Sequence, residues 1–457
     1  MLTESETSPS KSDLEAQTSN TTLVTKVEDI PTTEITDPKK WPRHRKYGVL
    51  ILVALAGTMS PINTTILYPA LNDMAKDLNT SVDVINSTVA IFMACLAFFP
   101  LAWGTASEIL GRRPIYLLSL TIYVGASLAA SFSPSIGILI FLRAVQALGS
   151  SSVLAVGAGT IADIFDQSER GRAMGTFYLG PLLAPVVGPV LGGVIAEKWK
   201  GWNSIFWFVA ILGGVNLGAM AVFLPETLDK RRAKARTDKS WNPLRPLLYF
   251  RYKVALLPTV TYAIAFATMY LINSSLPITY TNLYAFTTSQ TGYAYLGLGV
   301  GTVLGSLGGG FVADKLSARY KGKKEARLIS GMVGTLIYPV GVLVYGLAIE
   351  EEWWWGVGIL AHGVVGFGLM ILSNSVATYL LDSFTSRSAT VIAAQNCVRY
   401  LLAAASSMAV LPILSVTRHI ILFGCAAGVC VCTIGLIIAL YQRGEKWRKE
   451  VERDGLS

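Results

Sequence analysis

Charged residues are scarce in this sequence, and their scarcity excludes an ordinary soluble protein. Asp, Glu, Lys and Arg make up 15% of the 457 residues, whereas a typical soluble domain carries about 25%. Hydrophobic residues make up 52%, and the mean hydropathy is +0.50. Because one membrane-spanning helix needs about 20 apolar residues, a dozen such helices fit in the chain beside loops and tails. We therefore predict an all-α integral membrane protein.

Histidine and cysteine are also rare, which argues against metal and redox chemistry. The chain has three histidines and five cysteines, and every cysteine lies in an apolar run without a C-x-x-C spacing. We expect these cysteines to be small packing residues. The sequence contains no phosphate-binding loop and no nucleophile–base motif. It therefore predicts neither an enzyme nor a bound metal or cofactor.

Residues 1–40 have no long apolar run to bury. They contain 14 Ser or Thr and eight acidic residues, a composition typical of disorder. No basic segment is followed by a short apolar stretch here, so we expect no cleaved signal peptide. The prediction for 1–40 is a disordered cytosolic tail.

Twelve apolar segments follow this tail, and we number them as spans 1 to 12 in chain order. The predicted spans are 47–69, 84–106, 115–133, 135–161, 173–196, 204–224, 254–276, 292–313, 328–349, 353–381, 388–415 and 419–441. A hydrophilic loop at 229–253 separates an N-terminal bundle, 41–228, from a C-terminal bundle, 254–442, and a cytosolic tail follows at 443–457. The fold prediction is twelve transmembrane helices in two pseudo-symmetric six-helix bundles.

The basic residues predict the orientation of the chain. With a cytosolic N-terminus, 32 of the 38 Lys and Arg residues fall in cytosolic segments, and four fall outside, namely Lys76, Lys198, Lys200 and Arg418. The positive-inside rule favours this arrangement, which places both termini and loop 229–253 in the cytosol. The net charge of +9 is then a feature of topology, and nucleic-acid binding is not expected.

Both bundles place an acid and basic residues in the loop after their second span. The residues are Gly104, Glu108, Gly111, Arg112 and Arg113 in GTASEILGRRP, and Asp314 and Lys315 in GGGFVADKLSAR. Asp163 after span 4 likewise has a counterpart in Asp382 after span 10. Such repetition indicates two related bundles with a site between them near the midplane.

The first of these motifs resembles the G-x-x-x-D-R-x-G-R-R signature of the major facilitator superfamily, with Glu108 as the acid and Ile109 at the first arginine. Span 5 is similar to the antiporter signature of the fungal twelve-span drug:proton antiporter group. The matching residues there are Gly188, Pro189, Gly192 and Gly193. The segment YLLDSFTSRSATVIAAQNCVRYLLAA resembles the quinidine-resistance and citrate-exporting branch. The resemblance covers residues 41–442 and implies a transporter in which the loop motifs and span 5 serve gating or coupling.

Two arginines remain inside the membrane after loops and tails are assigned. They are Arg143 in span 4 and Arg399 in span 11, and no acid remains with them. Ionisable groups are costly there and mark candidate sites. A guanidinium without a carboxylate favours an anionic ligand, and helical spacing puts Gln146 beside Arg143 and Asn396 beside Arg399. The alternative for Arg143 is hydrogen bonding to carbonyls or a role in proton coupling.

Other polar residues in the spans are candidates for lining the cavity, or equally for satisfying a neighbouring helix. They are Asn63, Tyr262, Tyr270 and Asn374. His362 in span 10 is a candidate proton carrier or else a packed neutral side chain, and Glu108 and Asp314 are further coupling candidates. An anion leaving an inside-negative cell gains about 2.3 kcal/mol per charge per 100 mV. Uniport is therefore an alternative to proton antiport.

The sequence predicts a plasma-membrane exporter of an organic anion, either a di- or tricarboxylate or an acidic secondary metabolite. A multidrug:proton antiporter is the alternative, and a transport-dead sensor on the same fold is a third hypothesis. The expected partners are the small-molecule anion, the lipid bilayer and, under antiport, protons, and we expect a monomer. Asn79 begins a sequon in an outer loop and is a candidate glycosylation site.

Overall fold

The computed structural model describes residues 38–199, 201–228, 245–319, 324–384 and 388–454. All regular structure in these residues is helical. Most of the predicted N-terminal tail, 1–40, and of the predicted middle loop, 229–253, lies outside the described residues. The side chains of Asp314 and Lys315 also lie outside them. The chain divides after Trp41 into two units, and the described part of the first contains one 3-10 turn, Pro38–Lys40.

In the described residues, twelve long helical segments correspond to the twelve predicted spans. Their bounds are Arg43–Asp77, Val82–Leu110, Arg112–Ser131, Ile136–Ile164, Gln167–Lys198, Asn203–Phe223, Lys253–Tyr284, Leu296–Arg319, Leu328–Glu350, Trp355–Ser383, Ser388–Leu414 and His419–Arg453. Eleven of them are long and apolar enough over described residues to cross a membrane. The remaining one, span 8, has 24 residues and is about 36 Å long, which exceeds the hydrocarbon thickness of about 30 Å.

The two bundles repeat the same helix contacts. In the N-terminal bundle, span 4 packs on spans 2 and 3, span 6 on span 3, and span 5 on span 1. In the C-terminal bundle, span 10 packs on spans 8 and 9, span 12 on span 9, and span 11 on span 7. Between bundles, span 2 packs on span 11 and span 5 on span 8. These equivalent pairs confirm the predicted pseudo-symmetric architecture.

Span 1 is interrupted in its C-terminal half. The helix Met59–Thr65 is followed by a 3-10 turn, Tyr68–Ala70. Pro69 has no amide hydrogen with which to continue the α-helix, and carbonyl groups at such a helix end lack backbone donors. The Asn63 carbonyl lies at this break and accepts a hydrogen bond from span 4 instead.

Span 12 is longer than the sequence predicts. Its helix runs to Arg453, whereas the predicted span ends at 441 and is followed by a tail. Arg448 forms an i,i+4 ion pair with Glu452 at 3.5 Å, and it also binds Glu325 at 2.7 Å. Val451 is fully buried. Because ion pairs and packing support the extension, most of the predicted C-terminal tail, 443–457, is a helix docked on the C-terminal bundle.

Candidate functional site

Arg143 is fully buried in the N-terminal bundle and its donors bind protein groups. Its Nη1 donates to Gln146 Oε1 at 2.5 Å and its Nη2 to the Asn63 carbonyl at 2.7 Å. The Nε approaches the Thr88 carbonyl at 3.4 Å, and Cζ lies 4.2 Å from the ring centroid of Phe92. In this conformation Arg143 is held by carbonyl and amide oxygens, the alternative that the sequence left open.

Arg399 lies half-buried in the C-terminal bundle among aromatic rings. Its Nη1 donates to Tyr262 Oη at 3.0 Å. Its Cζ is 4.5 Å from the ring centroid of Phe266 and 4.7 Å from that of Tyr400. The Nε is buried without a hydrogen-bond partner in the described part of the chain. Neither Arg399 nor Arg143 forms an ion pair with an acid among the described residues.

The two arginines lie at different depths. We call the end of the bundles with Asp77 and Glu350 the outer end, following the predicted orientation, and the opposite end the cytosolic end. Arg143 is near the level of Asn86, which binds the Ser407 carbonyl across the bundles. Arg399 is eight residues from Ser407 toward the cytosolic end, about 12 Å along the helix. The two guanidinium groups have no hydrogen-bond partner in common among the described residues.

The predicted cavity-lining residues mostly have protein partners. Asn63 Nδ2 donates to Tyr123 Oη at 2.7 Å, and Asn374 Nδ2 donates to the Ser306 carbonyl at 3.1 Å. The Tyr270 hydroxyl approaches Thr64 Oγ1 of the other bundle at 3.5 Å. Asn396 is half-buried one turn from Arg399. Of the predicted set, Tyr262, Tyr270 and Asn396 lie in the region of Arg399, whereas Asn63 and Gln146 surround Arg143.

His362 is fully buried between two tyrosine rings. The centroids of Tyr295 and Tyr345 lie 6.1 and 6.4 Å from its own. Both ring nitrogens lack a hydrogen-bond partner in the part of the chain that the structure describes, as does the Tyr345 hydroxyl. His362 is thus a buried titratable group that no hydrogen bond holds in one tautomer.

The bundles meet at their outer ends. Hydrogen bonds join them between Thr288 Oγ1 and Asp73 Oδ2 (3.0 Å), between Ser289 N and Glu197 Oε2 (2.8 Å), between Ser274 Oγ and Tyr68 Oη (3.2 Å), and between Asn86 Nδ2 and the Ser407 carbonyl. A pocket of about 390 Å³ opens above this contact, with Asp73, Lys76 and Glu197 in its wall. The outer end is therefore closed across the bundle interface.

At the cytosolic end, ion pairs among the described residues join helices of one bundle only. Arg43 pairs with Glu169 in the N-terminal bundle, and Arg327 pairs with Asp382 in the C-terminal bundle. Tyr178, in the cytosolic half of span 5, is 44% exposed.

The glycines of span 5 allow close contacts with both bundles. A Cβ at Gly192 would lie 1.9 Å from the Ile66 carbonyl oxygen of span 1, and one at Gly188 would lie 2.6 Å from Thr65 Oγ1. A Cβ at Gly193 would lie 2.6 Å from the Thr288 carbonyl oxygen in the other bundle. A Cβ at Gly292 of the other bundle would likewise lie 2.6 Å from the Pro189 carbonyl oxygen. Span 5 therefore fits tightly against its own bundle and against the opposite one.

The loop motif of the N-terminal bundle forms a fixed cluster. Arg112 Nε binds Asp163 Oδ2 at 3.1 Å, and its Nη1 binds Ser107 Oγ at 2.5 Å. Gly111 has a φ of 104°, which favours glycine, and a Cβ there would lie 2.6 Å from Glu226 Oε2. A Cβ at Gly104 would make only ordinary van der Waals contact with Ala155. Glu108 is exposed.

Glu226 was not singled out from the sequence, yet it caps span 3. Its Oε1 accepts from the Arg112 amide at 2.9 Å, and its Oε2 accepts from the Arg113 amide at 3.2 Å. A carboxylate is favourable at a helix N-terminus. The signal was an acid in the segment LPETL directly after span 6, which lies 114 residues along the chain from its partner.

The C-terminal bundle repeats the ion pair of the loop cluster with a different arginine. Asp382 Oδ2 binds Arg327 Nε at 2.5 Å, where Asp163 binds Arg112. The sequence pairs Asp163 with Asp382 as equivalents, and both lie at the end of equivalent helices and bind an arginine near the start of spans 3 and 9. At the outer end, Asn79 is exposed in a turn with a φ of 49°.

Comparisons with known proteins agree with this architecture. A family model described as Major Facilitator Superfamily matches residues 53–407. The crystal structure of a D-xylose–proton symporter is similar in fold, with a TM-score of 0.67 at 13% identity over 86% of this chain and 97% of that one.

Three curated relatives differ in what their names say they transport. MFS antiporter QDR3 of Candida albicans is 26% identical, with 92% of this chain and 81% of that protein covered. Citrate exporter 1 of Aspergillus niger is 27% identical, with 92% and 91% covered. Multidrug transporter DTR1 of Candida glabrata is 28% identical, with 88% and 85% covered.

Proposed function

Since the chain belongs to the major facilitator superfamily, and so is a multi-pass membrane transporter rather than an enzyme, we propose that it exports an organic anion across the plasma membrane by alternating access. Arg399 is the residue to which we assign the anion. Small-molecule transport is common to the family, whereas the choice of an anion rests on this chain's own residues.

The observation that carries the proposal is the electrostatic state of Arg399. This guanidinium sits near the middle of span 11 and forms no ion pair with the acids of the described segments. A charge in a low-dielectric interior is costly unless an opposite charge compensates it. A carboxylate on the substrate supplies that charge and fits the planar fork of the guanidinium.

The two ends of the bundle interface support loading from the cytosol. The outer end is closed by hydrogen bonds between bundles, including Thr288 to Asp73 and Ser289 to Glu197, while the ion pairs of the described residues at the cytosolic end stay within one bundle. A substrate that enters from the cytosolic end leaves after the outer contacts break and the cytosolic ends meet.

Efflux of cationic drugs by proton antiport is the second candidate, and it is compatible with one relative named an antiporter and another named a multidrug transporter. The aromatic side chains near Arg399 also suit a drug-like ligand. A cation beside Arg399, however, meets repulsion without a compensating acid nearby. Susceptibility to cationic drugs therefore separates the two candidates.

The driving force follows from the charge of the substrate. An anion gains about 2.3 kcal/mol per charge per 100 mV on leaving an inside-negative cell, so export needs no coupled proton. Under proton antiport, His362 is the buried candidate carrier. Efflux from proteoliposomes at a clamped potential, with and without a pH gradient, distinguishes these modes, and strict dependence on the pH gradient excludes uniport.

The test of the proposed function compares a deletion strain that carries wild type, Arg399→Gln or Arg418→Gln. Arg418 is a matched control, since its side chain is 67% exposed at the outer end and its loss is of small consequence. We expect wild type and Arg418→Gln to restore a set of organic acids to the medium, measured by negative-ion mass spectrometry. We expect Arg399→Gln to restore less than a tenth, at equal surface abundance.

Two results contradict the proposed function. One is normal acid export by Arg399→Gln. The other is a deletion strain that loses no acid from the medium but becomes sensitive to cationic drugs, with resistance restored equally by wild type and Arg399→Gln. The second result would favour the multidrug antiporter.

A further inference from the structure

We propose that four buried residues, Tyr68, Asn86, Ser274 and Ser407, act as one latch that sets how often the outer ends of the two bundles separate. The latch positions the bundles in the transport cycle and touches no substrate. It therefore serves an anion exporter and a drug antiporter alike, and it goes beyond the function proposed above.

The latch is a continuous chain of hydrogen bonds through four helices. Asn86 Nδ2 of span 2 donates to the Ser407 carbonyl of span 11, and the hydroxyl oxygens of Ser407 and Ser274 lie 2.6 Å apart. Ser274 of span 7 donates to Tyr68 Oη of span 1 at 3.2 Å. A serine has one hydroxyl proton, and Ser274 gives its own to Tyr68, so Ser407 is the donor to Ser274. Two bonds thus cross between the bundles, and the serine pair joins them within the C-terminal bundle.

Tyr68 meets the C-terminal bundle at a second point. Its ring stacks on Tyr295, with centroids 6.0 Å apart and planes inclined by 10°. Tyr295 Oη in turn donates to the carbonyl of Asn273, the neighbour of Ser274, at 2.6 Å. The hydroxyl and the ring of Tyr68 are therefore separate contacts, and Tyr68→Phe removes the first while it keeps the second.

Burial distinguishes the latch from the other contacts at the outer end. All four latch residues are at most 1% exposed. We call the pairs Thr288–Asp73 and Ser289–Glu197 the rim, where Glu197 is exposed and the other three residues are partly exposed. A rim group exchanges its partner for water at little cost, whereas a buried hydrogen bond is stronger and is costly to leave unmade. The latch therefore resists separation of the bundles more than the rim does.

The latch must break when the outer end opens. Alternating access moves the outer ends of the two bundles apart, and this movement separates Asn86 from Ser407 and Tyr68 from Ser274. Hydrogen bonds in a chain strengthen one another. Because the serine pair links the two interbundle bonds, loss of one weakens the other, and the four residues respond as a unit.

Labelling of a reporter cysteine from outside intact cells tests the latch. The reporter is Thr64→Cys in the full-length protein. Thr64 is 1% exposed, precedes Tyr68 toward the cytosolic end, and lies 3.5 Å from the Tyr270 hydroxyl of the other bundle. An impermeant maleimide added outside reaches it only past an open latch, so the labelling rate follows the open population. Peptide mass spectrometry reads the rate, relative to Lys198→Cys at an exposed outer position.

Each latch variant should label faster than wild type in the reporter background. We expect Tyr68→Phe and Asn86→Leu to raise the rate about three- to tenfold, the effect of one lost hydrogen bond. Ser407→Ala should raise it at least about twofold, because it breaks the link between the two interbundle bonds. Ser406→Ala is the matched control, since the Ser406 hydroxyl joins the same two helices through the Ala267 carbonyl at 2.9 Å, within one bundle. It should change the rate less than about 1.5-fold.

The double variant of Tyr68→Phe with Asn86→Leu tests whether the latch is one unit. Its rate should rise by less than the product of the two single effects. A rise equal to the product would show two independent contacts and overturn the single latch. In inside-out vesicles the latch variants should not raise labelling from the cytosolic side. A rise from both sides would mean a loosened fold and would contradict the latch.

Two further results overturn the proposal. One is a rate within about 1.5-fold of wild type in both Tyr68→Phe and Asn86→Leu, below the effect of a lost hydrogen bond. The other is a larger rise in Asp73→Asn or Glu197→Gln than in either latch variant, which would assign closure to the rim. No substrate enters these measurements, so their failure leaves the anion assignment to Arg399 unchanged.

Discussion

Equivalent buried positions in the two bundles differ in their hydrogen bonding. Arg143 lies seven residues after the first residue of span 4, and His362 lies seven residues after that of span 10, its structural counterpart. Both are fully buried. Arg143 binds oxygens of Gln146, Asn63 and Thr88, whereas His362 has no hydrogen-bond partner among the described residues.

The difference extends to Arg399, which belongs to the same bundle as His362. The C-terminal bundle thus carries two ionisable groups with open hydrogen-bonding capacity, while the N-terminal bundle carries one whose Nη1 and Nη2 are engaged. A fully satisfied polar network makes a structure rigid, whereas a buried ionisable group with open hydrogen-bonding capacity is a candidate functional group. We infer that the N-terminal bundle is the more rigid of the two around its buried arginine. The C-terminal bundle then holds the groups for substrate binding and proton coupling.

The largest effect that tests this difference is expected from Arg143→Leu. The substitution leaves the Asn63 carbonyl and Gln146 without their donor, and each hydrogen bond to a charged group contributes about 1.5–3 kcal/mol. We expect a loss of about 3–5 kcal/mol in the free energy of unfolding, measured by thermal or denaturant unfolding in detergent. Phe141→Leu on the exposed face of the same helix is the control.

Arg399→Gln should cost less in the same assay, at most about 1.5–3 kcal/mol, since it loses a single hydrogen bond of a charged group, the one to Tyr262. Equal destabilisation by the two arginine substitutions would remove the distinction between the bundles. A stable Arg143→Leu variant that loses anion binding would return Arg143 to the substrate site.

The sequence predicts the existence of these groups better than their partners. Apolar length gives the twelve spans, and the audit of charges isolates Arg143 and Arg399 because membrane interiors rarely hold ionisable groups. The acceptor of Arg143 Nη2 is a backbone carbonyl 80 residues away. It is available because the helix Met59–Thr65 ends two residues after Asn63, and residue type alone does not reveal such an acceptor.

Contacts between distant parts of the chain explain the other features that the sequence did not predict. The i, i+4, i+8 spacing of aromatics on span 7 is visible in the sequence, but its meeting with Arg399 requires span 11 to pack on span 7. Glu226 lies outside the spans. It caps span 3 only because the chain after span 6 returns to the start of span 3. The helical extension to Arg453 likewise depends on a partner, Glu325, before span 9.

A smaller effect is expected from Gln146→Leu. Gln146 accepts from Arg143 at 2.5 Å and donates to Ser127 Oγ at 2.8 Å. Its loss leaves Arg143 Nη1 without an acceptor but retains the bond to Asn63, so we expect about 2 kcal/mol of destabilisation. The double variant with Arg143→Leu should cost less than the sum of the two single changes, because both remove the same bond. Additive costs would show that the two side chains act independently and would weaken the account of a shared network.

The smallest effect, and one of opposite sign, is expected from His362→Phe. Two unsatisfied ring nitrogens are replaced by an apolar ring of similar shape between Tyr295 and Tyr345, and relief of an unpaired buried polar group is neutral or stabilising. We expect unfolding stability to rise by up to about 1 kcal/mol. Export at a clamped potential without a pH gradient should continue, whereas any component driven by a pH gradient should disappear if His362 carries the proton. Destabilisation by more than about 1 kcal/mol would instead mean that His362 is held by partners such as buried water, and the two equivalent positions would then be alike in being satisfied.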